Sequence, residues 1–107
     1  MQKLQIASVL AEQAKKMGKV LEHEQFDLLN VQLRAGEEIP GHSVKNTSII
    51  IVRKGDVVFN VEGEDVSLTA EDVLLFDPNE KHSLKAVTEV DILIVKLNNE
   101  KRLLLNG

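Results

Sequence analysis

Seven short apolar segments dominate the chain after residue 25: FDLLNVQL, SIIIV, VVFNV, VSL, VLLF, HSLKA and DILIVKL. Gly36, Pro40-Gly41, Gly55-Asp56, Gly63 and Pro78-Asn79 cut them apart. Val, Ile, Leu and Phe in runs this short are strand residues, and turn residues between them leave no room for long helices. Turn signals recurring every 8–12 residues or so point to an all-β sandwich or barrel. SIIIV is apolar without alternation, so both of its faces need cover. One face can line a barrel interior; the other calls for a second sheet or a second subunit. The chain is therefore expected to be a homodimer.

The first twenty residues read differently. Ile6, Leu10, Ala14 and Met17 recur at helical spacing, and Gly18 stands where a helix would stop. The pattern predicts one short amphipathic helix over 6–17 that docks its apolar stripe on the barrel or across the dimer. With 107 residues, one core is expected. The predicted organisation is one domain over 1–107: a helical segment over 1–20, a β-barrel over about 25–97 and a tail over 98–107.

Composition removes several functions. There is no cysteine, which excludes disulfides, thiolate nucleophiles, zinc-thiolate centres and iron–sulfur clusters. The formal net charge of −4 offers no electropositive footprint, so no nucleic-acid partner is expected. Three phenylalanines are the only aromatic residues besides histidine, few for the stacking platforms that grip bases and sugars. The N-terminus lacks the apolar core of a signal peptide, and no run of about 18 apolar residues occurs. The expected location is cytoplasmic, with no membrane partner.

Two segments carry the chemistry. GEEIPGHSVKNTSIIIVRKG holds Gly36, His42, Val44, Ser48 and Gly55, and EDVLLFDPNEKHSLKA holds Glu71, Asp77, Asn79, His82 and Ala86. Their spacing resembles the two motifs of the cupins, G-x5-H-x-H-x3-E-x6-G and G-x5-P-x-G-x2-H-x3-N. KGDVVFNVEGEDVSLTAEDVLLF, between them, is similar to the cupin hairpin. The likeness covers about residues 30–97 and implies a double-stranded β-helix, the jelly-roll barrel of the RmlC-like cupins.

The resemblance also implies a metal centre that this chain has largely lost. Metal-binding cupins use three imidazoles and one carboxylate, suited to divalent iron, manganese, nickel or zinc. Only His42 and His82 stand at ligand positions here; Val44 has no donor atom and Ser48 offers a neutral hydroxyl. The incomplete metal set is therefore His42 and His82, completed if at all by water, a bound acid or a further side chain such as His23. Without a metal, the pair are lumen histidines bonded to each other, to Ser48 or to water, or a grip for an organic anion.

Alternation assigns the rest of the lumen: Leu29, Val31 and Leu33 on one strand, Val44, Ser48 and Ile50 on the next, then His82, Leu84 and Ala86. The candidate ligand-binding residues are His42, Val44, Ser48, Ile50, His82 and Leu84. Ser43 and Ser83 each adjoin a histidine, but neighbours on a strand face opposite ways, which excludes a Ser-His nucleophile. The turn carboxylates read as a solvated rim, with Glu80 set closest to a lumen histidine. Arg53-Lys54 is expected to protect an edge strand from aggregation.

The sequence thus reads as a stand-alone cupin, a non-catalytic small-molecule-binding or regulatory module with no cofactor. The alternative is a metal-dependent enzyme of the dioxygenase or isomerase type, in which His42 and His82 recruit further ligands to zinc, nickel, manganese or iron. Catalytic residues, and whether there is an enzymatic activity at all, stay open at this stage.

Overall fold

The computed structural model describes residues 1–98. Nine strands are present among them: β1 (Lys15–Glu22), β2 (Phe26–Leu33), β3 (Glu38–His42), β4 (Ser48–Lys54), β5 (Val57–Val61), β6 (Glu64–Leu68), β7 (Val73–Phe76), β8 (His82–Ala86) and β9 (Val90–Leu97). They form a five-stranded sheet in the order β1-β2-β9-β4-β7 and a four-stranded sheet in the order β3-β8-β5-β6. Every pairing between neighbouring strands is antiparallel. The C-terminal tail expected over 98–107 lies, from residue 99 on, outside the described residues.

Alternation decides what each strand buries. On β4, Ser48, Ile50 and Val52 are buried while Ile49 and Ile51 are half-buried on the opposite face. The ladders carry that choice sideways: Ile50 pairs with Ile94, which pairs with Leu29, and Val52 pairs with Ile92, which pairs with Val31. These residues meet Val57, Phe59, Leu84 and Ala86 of the other sheet in one core.

The expected N-terminal helix is absent. Residues 10–12 form a turn and Lys15–Glu22 is a strand, with Gly18 inside it opposite Asn30. A helix of about twelve residues is marginal on its own. Here it loses to an eight-residue strand laid along the edge of β2. The preceding segment is irregular chain held over the outer face of the five-stranded sheet. Val9 N–H donates to Gln32 Oε1 at 2.9 Å and Gln32 Nε2 donates to the Ala7 carbonyl at 2.9 Å. Arg34 Nε donates to the Leu10 carbonyl and Arg53 Nη2 to that of Ile6. A helix would consume those backbone groups internally. Leu10 is still buried, in a turn; Met17 is 47% exposed.

Two other expectations change. Pro40 and Gly41 lie within β3, whose ladder to β8 slips between Ile39 and His42. β3 is an edge strand, where a residue without an N–H is tolerated. Arg53 does not guard an edge, because β4 lies between β9 and β7. Its guanidinium pairs two-pronged with Asp91, at 3.0 Å to Oδ1 and 2.7 Å to Oδ2.

The turns that follow β4 and β5 need positive φ. Glu62 and Gly63 have φ of 51° and 88°, the two-residue hairpin whose twist matches its strands. Gly55 has φ +84°, and a Cβ there would lie 2.0 Å from the Glu89 carbonyl oxygen. Gly63 has open space around it. Gly63→Ala should therefore cost about 1–2 kcal/mol, backbone strain alone. Gly55→Ala should cost distinctly more, since the β4–β5 and β8–β9 turns must also separate. Thermal melts of the two variants check this ordering.

Candidate functional site

His42 ends β3 and His82 begins β8, and the ladder makes them direct partners. Their rings lie 4.5 Å apart, tilted at 56°. Each Nδ1 contacts the backbone carbonyl two residues back: Pro40 at 3.0 Å for His42, Glu80 at 3.1 Å for His82. A carbonyl only accepts, so each Nδ1 carries the hydrogen and, in the neutral ring, each Nε2 keeps a lone pair. Phe76 stacks on His82 at 4.2 Å and 17°, with Phe59 behind it at 5.6 Å.

The pair opens onto an inner cavity of about 30 Å³, room for roughly two waters. All six expected ligand-binding residues, His42, Val44, Ser48, Ile50, His82 and Leu84, line it. Ser48, Ile50, His82 and Leu84 are buried there, while Val44 is half-buried in the loop between β3 and β4. Leu29 and Val31 also reach the cavity; Leu33 and Ala86 are buried in the core beyond it.

His23 is elsewhere. It is exposed, stacks on Phe26 at 4.9 Å and accepts the Gln25 N–H on its Nδ1. The Glu80 carboxylate also turns away, accepting the Asp77 N–H at 2.7 Å.

One polar lining residue escaped the sequence reading. Lys96 lies opposite both Ser48 and Asp27 in the ladders and lines the cavity. The signal was available, since Ile92, Ile94 and Lys96 alternate onto one face of DILIVKL. Met17, Phe59 and Phe76 also join the lining.

The fit to the metal centre implied by the motifs follows from this donor set. A divalent ion would find two imidazole nitrogens and a hydroxyl, no carboxylate among the described residues of the cavity wall, and the cationic residue Lys96 in the lining. No group of three or more His, Cys, Asp or Glu that could hold a metal occurs among the described residues. Every fully buried side-chain nitrogen and oxygen among them has a hydrogen-bond partner. The residues present do not fit the family's metal.

Burial holds His82 below the ordinary histidine pKa, aided by the positive charges of His42 and Lys96 and opposed by the Glu80 carbonyl. The unfolded chain then takes up a proton near pH ~6.5 that the folded chain resists. The stability arising from this difference is full above about pH 6.5 and declines as pH falls through that value. Urea unfolding of the native protein and His82→Asn at about pH 7.5 and about pH 5.5 should show the smaller loss in the variant, which lacks the group. Equal losses would exclude His82 as a source of the pH dependence.

A family model described as the cupin domain matches residues 29–96. An RmlC-like cupin protein from Desulfovibrio desulfuricans is 26% identical, with a TM-score of 0.78 over 91% of this chain and 94% of that one. An RmlC-like cupin family protein with a double-stranded β-helix fold, from Methanocaldococcus jannaschii, is 19% identical, with a TM-score of 0.79 over 100% of this chain and 98% of its own. The salicylate 1,2-dioxygenase of Pseudoaminobacter salicylatoxidans gives a TM-score of 0.75 at 17% identity, over 86% of this chain but 27% of the dioxygenase. No curated protein matches the sequence. No helix among the described residues is long and apolar enough to cross a membrane.

Proposed function

The chain belongs to the cupin domain family, and on that premise we propose that it is a non-catalytic small-molecule-binding or regulatory module that works without a metal. The observation that carries this reading is the donor set of the cavity: His42, His82, Ser48 and Lys96, with no carboxylate on its wall among the described residues. A catalytic zinc site typically has three protein ligands and an open position. Two imidazoles beside an ammonium fall short of that and repel the ion's charge. The ligand is small, because the cavity holds about 30 Å³ between Phe76 and the apolar wall.

One observation favours the alternative, a metal-dependent enzyme. Both Nδ1–H groups rest on carbonyls, the usual second bond of a metal-bound imidazole. Elemental analysis of protein purified without added metal separates the readings. The expected result is far less than stoichiometric iron, manganese, nickel or zinc after dialysis against a mild chelator. Near-stoichiometric metal would move the enzyme reading to first place.

We also propose that the module works as a homodimer through the outer face of the five-stranded sheet. Leu28, Ile49, Ile51, Leu93 and Val95 are half-buried there, and Val73 and Leu75 are 64% and 57% exposed. The described residues of this half of the face are uncharged, so among them a second copy brings no like charge against it. The other half is polar and already covered by residues 6–10 of the same chain. Light scattering at micromolar concentration should give about twice the chain mass. The double change Ile49→Lys with Leu75→Glu should give the monomer; a native protein already monomeric would refute the dimer.

A further inference from the structure

The frame of a metal site is occupied here by a side chain of the wrong sign. Lys96 projects from β9 on the inward face, opposite Ser48 and next along that face to Ile94. It lines the same cavity as the two histidines and forms no ion pair among the described residues. Its other ladder neighbour, Asp27, is engaged by Lys19 at 3.4 Å. Of the described residues that line the cavity Lys96 alone is a fixed charge, and no carboxylate among them offsets it. A cation entering beside it loses Coulomb energy; an anion gains it, and the gain grows where apolar walls exclude water.

From this we propose that the cavity is a binding site for a short monocarboxylate, of formate or acetate size, with Lys96 as its charge anchor. The inference rests on the metal-free, small-molecule-binding reading above and names the class of ligand. The donors suit that class. Lys96 provides hydrogens for a carboxylate oxygen, and the Ser48 hydroxyl can do so by turning from its long 3.4 Å bond to the Asn46 carbonyl. The Nε2 atoms of His42 and His82, whose Nδ1–H groups are held by backbone carbonyls, border the same space, so a carboxylate bound to Lys96 changes the surroundings of both rings. Size supports the same choice: about 30 Å³ admits a group of roughly two waters' bulk and excludes aromatic acids and sugars. The methyl of acetate would meet Leu29, Val31 and Ile50, which line the cavity's apolar side.

The test uses the whole protein, freed of metal and of carboxylate buffers. Acetate, formate and, separately, chloride are titrated at constant ionic strength and followed by thermal melting and by NMR of the histidine rings. Formate or acetate should raise the melting temperature saturably and shift the His42 and His82 ring signals, and chloride at the same ionic strength should do much less. Lys96→Met should weaken acetate binding at least about tenfold, the loss expected for one charge-assisted anchor. Lys96→Arg should retain most of it, and Lys85→Met, on the outer face of β8, should change nothing. If Lys96→Met does not fold, the ring shifts in the native protein still decide the matter. Acetate that behaves like chloride, or that binds Lys96→Met as well as native protein, would overturn the proposal. Metal found in native protein would instead sink the metal-free reading, so the two failures are distinguishable.

Discussion

Everything in this molecule depends on one constraint: two sheets must close over a single layer of alternate side chains. β4, β9 and β2 present Ile50, Ile94, Leu29 and their neighbours along the same rows because the ladders hold them in register. A slip of one residue would turn Ile49 and Ile51 inward and drive Ser48 and Lys96 out. The barrel, the pairing of the two histidines and the position of Lys96 are thus consequences of one register. Burial of this layer supplies most of the driving force, at roughly 25 cal/mol per Å² of apolar surface.

The outer face of the larger sheet follows a second rule. Asn30 and Gln32 are fully buried although they lie outside the barrel. Each amide is satisfied: Asn30 donates to Asp91 and to the Ile92 carbonyl, and Gln32 bonds Asn30 and the backbone of residues 7 and 9. Asp91 in turn holds Arg53, which reaches the Ile6 carbonyl. A chain of polar groups this deep costs much when half satisfied and little when complete. The N-terminal segment completes it with its backbone groups, which is why that segment does not close into a helix.

At the site, packing and charge act together. Phe76 and Phe59 fill the barrel beneath the imidazoles and leave space for little more than water. The same burial that fills the lumen keeps His82 reluctant to take a proton. Val44, Ser48 and Lys96 are not three separate losses. Together they convert a wall that would surround a cation into one that is apolar on one side and electropositive on the other.

The sequence by itself determined the strand set and the inward rows. Phe26–Leu33, Val57–Val61, Val73–Phe76 and His82–Ala86 coincide with segments legible from composition and turn residues, because a strand's period of two is written locally. The spacing of Gly36, His42 and Gly55 likewise announced the family frame, and the missing donors at Val44 and Ser48 were plain in the letters. Tertiary structure alone decided the rest. Whether residues 6–17 coil or extend depended on Gln32, Arg34 and Arg53, far away in sequence, offering better partners than a helix offers itself. Arg53 found Asp91 rather than an edge because strand order is a non-local property. Which polar residues share the cavity with His42 and His82 depended on closure, since only a closed barrel brings β9 to face β3 and β8. Local patterns set which side of a strand is inside; long-range pairing sets what it meets there.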